Sequence, residues 1–211
     1  MSKNNKIIDI SMELSSKTPV HLGDPKIQIL SINAGGTQYC KQSLIHINSH
    51  TGTHVDFPRH FIKNGKSKNQ IPLETFIGKA VIVKVQGISK IEIKNVQKYE
   101  TEIKECKRVI FCTNWNQKIG KQNYWEKNPE ISKELAEWLI KKKIKLVGID
   151  SFTVDNSPYT VHKILLKKGI VIVENLVNVN KIKQKVCEII VAPLNLKCED
   201  GAPARVFARV K

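Results

Sequence analysis

Residues 131–150, ISKELAEWLIKKKIKLVGID, decide the fold when read with VIFCT at 109–113. Ile131, Leu135, Trp138 and Leu139 recur at helical spacing, so the spacing predicts a helix over 131–142. On either side of it, 109–113 and 146–149 are short apolar runs rich in Val and Ile, which read as strands. A strand, a helix and a second strand in that order predict a βαβ crossover, and hence a parallel strand pair inside a mixed sheet.

Working outward, similar apolar runs predict strands at 7–10, 27–32, 44–48, 80–85, 170–174, 186–192 and 204–210. Helices are fewer. Ser89 with Glu92 three residues on reads as a capping box ahead of Ile93 and Val96. A short helix is expected over 161–168, stopped by Gly169. The fold class is therefore α/β or α+β with high strand content, and the absence of repeats or long linkers predicts one domain spanning 1–211.

The chain has 211 residues, 41% hydrophobic and 26% charged, which excludes a disordered or collagen-like protein. Its 35 Lys plus Arg against 19 Asp plus Glu give a net charge of +16. Only Arg59, Arg108, Arg205 and Arg209 are arginines, and the lysines are scattered, so the excess reads as a solvated surface rather than a nucleic-acid footprint. The stretch from Met1 to Lys6 is polar, and no run approaches the roughly 20 apolar residues that cross a bilayer. Five dispersed cysteines without a CxxC pair read as reduced thiols, and a cytoplasmic location is expected.

Chemistry concentrates in SHTGTHVDFPRH at 49–60, which holds three of the six histidines. A straight strand would place the Cα atoms of His50 and His54 about 13 Å apart, where one ion could barely reach both. A helix is disfavoured by Gly52, Thr53, Val55 and Pro58. A strand end that curls at Gly52 remains, and it lets His50, His54 and Asp56 converge on a cation with a position left open for water. His60, set apart by Pro58, is placed to face that site as a proton carrier. His162 opens the short helix and Glu174 ends the strand that returns from Gly169, so the two side chains can be neighbours.

The pattern HxGTHxDxPxH, filled by His50, Gly52, Thr53, His54, Asp56, Pro58 and His60, resembles the cyclase family of metal-dependent hydrolases, which includes bacterial kynurenine formamidases and isatin hydrolases. IIDIS at 7–11, Gly23-Asp24-Pro25, DGAPAR at 200–205, and the pair His162 and Glu174 are similar to further family signatures. The resemblance implies a strand-rich swivelling β/β/α-type domain. It also implies an amidohydrolase acting on carbon–nitrogen bonds other than peptide bonds, with an aryl formamide as substrate and a metal-activated water as nucleophile. His50, His54, Asp56, His162 and Glu174 would be the metal ligands and His60 the general acid/base. One or two Zn2+ per subunit are implied, with Mn2+ as an alternative, and a homodimer or higher homo-oligomer.

In formamidases a Trp-Pro pair usually precedes the Gly-Asp turn, whereas this chain has His21 and Leu22 there. Opening of a cyclic aromatic amide, as by isatin hydrolases, is therefore the alternative within the family. A non-catalytic basic protein binding metal or nucleic acid is the alternative outside it. Phe57, Phe61, Trp115 and Tyr159 are candidate pocket aromatics. Asp150 is a candidate either for orienting a ligand histidine or for capping the turn after its strand.

Overall fold

The computed structural model describes residues 6–33, 40–121 and 124–210, so the polar N-terminal stretch lies outside it except for Lys6. The strands are β1 (Lys6–Asp9), β2 (Gln28–Asn33), β3 (Lys41–His46), β4 (His54–Asp56), β5 (Ile77–Lys84), β6 (Lys90–Ile91), β7 (Arg108–Cys112), β8 (Glu130–Ile131), β9 (Leu146–Ile149), β10 (Val171–Glu174), β11 (Val186–Pro193) and β12 (Gly201–Val210). The helices are α1 (Ile93–Val96), α2 (Glu100–Cys106), α3 (Lys133–Lys141) and α4 (Thr160–Lys167).

The main sheet runs β1-β12-β11-β5-β7-β9-β10-β4, and β4 also pairs with β12. That second pairing closes seven strands into a barrel and leaves β1 as a flap on the far half of β12. Strand β12 is long enough for both roles: Gly201 to Pro203 pair with β4, and Phe207 to Val210 pair with β1. The predicted crossover is present, with β7 parallel to β9 and Arg108 opposite Leu146. The fold is mixed α/β and strand-rich, as the sequence predicts.

Strands in the parallel region carry unbroken apolar runs because both faces are covered. Ala80 and Ile82 of β5 point into the barrel with Ile110, Leu146 and Val173. Val81 and Val83 point outward beneath Leu135 and Leu139 of α3 and Leu165 of α4. Each such fully buried Leu contributes about 1.5–3 kcal/mol by leaving water. Ser132 caps α3 by accepting the Leu135 amide at 3.1 Å.

Two helices differ from expectation. The first helix is capped by Glu92 rather than Ser89; the Glu92 amide donates to Asn95 Oδ1 at 2.8 Å, while the Ser89 carbonyl accepts the Glu130 amide. Helix α2 has only Ile103 and Cys106 buried, too few to register as an apolar stripe. Strands β2 and β3 pair only with each other, and their described side chains are exposed. All five cysteines are free. Among the described residues no helix is long and apolar enough to cross a membrane.

Candidate metal centre

Strand β4 is three residues long and wholly buried, lying between β10 and β12 in the barrel wall. His54 faces Glu174 across the β10 ladder, and Asp56 lies two residues along on the same face. The chain reaches β4 through a turn at Gly52, whose φ of +62° is left-handed and whose Cβ, if present, would strike the Leu14 side chain. This is the curled strand end that the residue pattern predicts. Opposite Asp56, Gly201 serves a related purpose: a Cβ there would come within 2.5 Å of His50 Cε1. The glycine of DGAPAR thus leaves room for the His50 ring to lie against β12.

The five residues expected as ligands come together. Around the Asp56 carboxylate, His50 Nδ1 lies 2.7 Å and His54 Nε2 3.2 Å from Oδ1, and His162 Nε2 lies 3.5 Å from Oδ2. Glu174 adds its carboxylate at 3.2 Å from His162 Nε2 and 3.7 Å from His54 Nε2. Two triads bring one ligand atom each within 4.8 Å of one another: His50, Asp56 and His60, and His54, Asp56 and Glu174. Asp56 belongs to both. Its Oδ2 is buried and has no hydrogen-bond partner, a costly arrangement for a carboxylate unless something else satisfies it. Such a donor set, imidazole nitrogen with carboxylate oxygen, suits a divalent transition metal.

The imidazoles are anchored from behind. His54 Nδ1 is 2.8 Å from the Gly52 carbonyl, which directs Nε2 inward. His162 Nδ1 is 2.5 Å from Asp155 Oδ1, and Asp155 Oδ2 accepts the Val161 amide at 2.6 Å. His50 Nε2 is 3.1 Å from Asp200 Oδ2, which Ser49 Oγ also holds at 2.6 Å. Neither Asp155 nor Asp200 figures among the sequence-derived site residues. The only signal for Asp200 is its place in DGAPAR, and Asp155 carries none.

Electrostatics follow from this packing. Burial disfavours a charged His54, but the charges of Asp56 and Glu174 and the bond to Asp56 override it and raise the pKa to about 9. At His162 burial is likewise outweighed by Asp155, Asp56 and Glu174, and its pKa rises well above the usual histidine value. Burial works against the Asp56 charge too, yet the neighbouring imidazoles hold its pKa well below the carboxylate range. His60 goes the other way: burial, opposed mainly by Asp56, pushes it down to about 4, so it is neutral at pH 7. Its ring stacks on His50 at 3.9 Å between centroids, with 26° between planes.

A cavity of about 280 Å³ opens over this centre. Its floor is made of His54, Asp56, His162 and Glu174, all buried, with the less buried His50 and His60 beside them. Phe61, Phe152 and Tyr159 supply aromatic walls, and His21, Asp24, Asn48 and Asn156 supply polar ones. Of the candidate aromatics, Phe61 and Tyr159 do line the cavity. Phe57 is core, fully buried and edge-on to Phe76. Trp115 is spent on structure, its Nε1 donating to the Tyr124 carbonyl at 2.9 Å. Asp150 caps the turn after β7 by accepting the Thr113 and Asn114 amides at 2.7 and 2.9 Å, and orients no histidine. Phe152, packed between Trp125 and His21, is the aromatic wall residue that sequence reasoning missed, and Asn48 and Asn156 are polar ones.

Comparison with known proteins gives three concordant findings. Residues 8–156 match the model of the Cyclase family. A kynurenine formamidase of Bacillus mycoides is 30% identical over 215 residues, covering 98% of this chain and 99% of that protein. Among solved structures, one described as a "predicted metal-dependent hydrolase" from Bacillus stearothermophilus aligns with a TM-score of 0.82 at 25% identity, over 98% of this chain and 99% of the other. Isatin hydrolase A of Labrenzia aggregata shares the fold, with a TM-score of 0.86 at 24% identity over 98% and 94% of the two chains.

Proposed function

The chain belongs to the Cyclase family, and on that premise we propose that it is a metal-dependent hydrolase that cleaves the carbon–nitrogen bond of a small aryl amide, an aryl formamide by preference. The observation that carries this reading is the buried Asp56 carboxylate, with one oxygen making no hydrogen bond, ringed by His50, His54, His162 and Glu174. We assign those five residues as the metal ligands of a single hydrolase domain spanning 1–211. Zinc is the ion we favour and manganese the alternative, with one or two ions per subunit. Bound there, a divalent cation supplies Lewis acidity, lowering the pKa of water toward 7 and stabilising negative charge on a carbonyl oxygen.

The remaining steps belong to the chain's own side chains. His60 is neutral at pH 7 and its ring nitrogens take no partner among the described residues, so it accepts the proton of the attacking water and passes it to the leaving amine nitrogen. Phe61, Phe152 and Tyr159 hold the aryl ring by contact with its faces and edges. Gly52 and Gly201 fix the backbone against which His54 and His50 are aimed. The cavity is the size of a single-ring substrate. We carry over a cytoplasmic homodimer as the working form.

Elemental analysis of the purified protein, paired with formanilide hydrolysis before and after chelation, tests the reading. Bound metal and a chelator-sensitive rate are expected. Full-rate hydrolysis by metal-stripped protein, or no hydrolysis of any aryl amide with metal restored, overturns it.

A further inference from the structure

Behind the cavity, the side chain of Asn175 joins the aromatic wall to the strand that carries Glu174. Asn175 directly follows β10, and its φ of +55° lies in the left-handed region, which asparagine tolerates better than most side chains. Its amide donates to the Ser151 carbonyl at 2.9 Å, and its carbonyl accepts Thr53 Oγ1 at 2.6 Å. The end of β10 is thereby tied both to the wall segment and to the turn ahead of His54. The Asn175 side chain is buried with both ends engaged: Nδ2 donates to the Phe152 carbonyl at 3.3 Å, and Oδ1 accepts the Tyr124 hydroxyl at 3.0 Å. A carbonyl can only accept, which fixes the orientation of the amide. Tyr124 is only 1% exposed, and burial pushes its pKa above the usual tyrosine value, so the hydroxyl is neutral and free to donate. Trp115 Nε1 holds the Tyr124 carbonyl from behind, and the Tyr124 ring lies 6.0 Å from that of Phe152 at 63°.

We propose that Tyr124 and Asn175 are positioning residues that hold the Phe152 wall at a fixed distance from the metal centre, so that a ring seated against it presents its amide to the floor. The inference rests on the functional reading above and deepens it. The floor has supports of its own, since β4 pairs with β10 and the Val154 amide donates to Glu174 Oε1 at 2.8 Å. The wall depends on Asn175, which grips the Phe152 carbonyl. Loss of the Tyr124 hydroxyl leaves Asn175 Oδ1 buried without a donor, a cost the amide escapes by turning, and turning releases Phe152 while Glu174 stays paired. The position asks for a left-handed backbone, a donor and an acceptor together. Aspartate lacks the donor, and glycine lacks both side-chain groups.

Tyr124→Phe tests this, because it deletes the hydroxyl and keeps the buried ring. The KM for formanilide is expected to rise about five- to tenfold, the scale of one buried hydrogen bond, with kcat within about twofold and metal content unchanged by elemental analysis. In a Phe152→Leu background the same substitution should add less than about twofold, since the ring it positions is gone. Asn175→Gly keeps the left-handed turn and should raise KM at least as much, which covers the case of a poorly folded Tyr124→Phe. A crystal structure of Tyr124→Phe should show Phe152 displaced, with Glu174 and His54 in place. An unchanged KM, a rise of equal size with and without Phe152, metal lost from Tyr124→Phe, or a Phe152 ring that stays where it is overturns the proposal. Failure of the wild-type protein to hydrolyse formanilide would sink the reaction assignment instead, and crystal structures of wild type and Tyr124→Phe would still decide whether Tyr124 positions the wall.

Discussion

His54 and His162 are held in one way, His50 and His60 in another. The first two are buried, each with Nδ1 fixed from behind, by the Gly52 carbonyl at 2.8 Å and by Asp155 at 2.5 Å, so that a single nitrogen faces Asp56 and Glu174. The second two are partly exposed and rest on one another, ring on ring. Anchored imidazoles suit metal ligation, where the angle of the lone pair matters. A ring held by stacking keeps its nitrogens available for proton transfer. His50 stands between the two classes, since it stacks on His60 yet also meets Asp56 at 2.7 Å and Asp200 at 3.1 Å.

Variants at the centre of the comparison have the largest expected effect. Asp56→Asn removes the charge that both triads share, and both metal content and hydrolysis should fall to background; retained metal by elemental analysis would contradict the assignment. His60→Gln separates the classes: turnover should drop about 10²–10⁴-fold with metal content unchanged. If metal is lost as well, His60 belongs with the anchored ligands, through the triad it forms with His50 and Asp56.

Smaller effects sharpen the contrast. Asp155→Asn leaves the His162 ring in place without its anionic anchor, and metal affinity measured by competition with a chelating dye should weaken about 10–100-fold. Metal uptake should also depend on pH. The metal-free His54, with its pKa raised to about 9, carries a proton at pH 7 that must leave before the nitrogen can ligate. Affinity should therefore rise with pH toward 9, by about tenfold per unit for each proton released, and level off above it. A flat profile between pH 7 and 9 would show that metal displaces no proton from His54. Asp200→Asn should have the mildest consequence, a few-fold change at most, because its carboxylate is half exposed and screened by water.

The site was more legible than its supports. The HxGTHxDxPxH pattern marks chemistry because those residue types rarely gather in a turn for packing reasons, and Gly52 tells where the chain must bend. The crossover through α3 was legible because Leu135 and Leu139 repeat at helical spacing between two apolar runs. Strand β4 was not read as a strand, since two of its three residues are polar and are buried only by what they bind or pair with. Asp200 meets His50 across 150 positions, a contact that no local periodicity encodes. Asp155 looks like an ordinary loop carboxylate until α4 turns His162 toward it. The family pattern supplied the proposed ligands, and tertiary packing supplied the groups that aim them.

The central claim is that Asp56 Oδ2, buried without a hydrogen bond, marks the place of a divalent cation. An anomalous-scattering map from crystals grown with zinc tests it most directly. The account predicts a peak within bonding distance of Asp56, with His54 Nε2 or His162 Nε2 completing the contact. A map without density there, and with Asp56 Oδ2 bonded instead to water or to a protein donor, would contradict it.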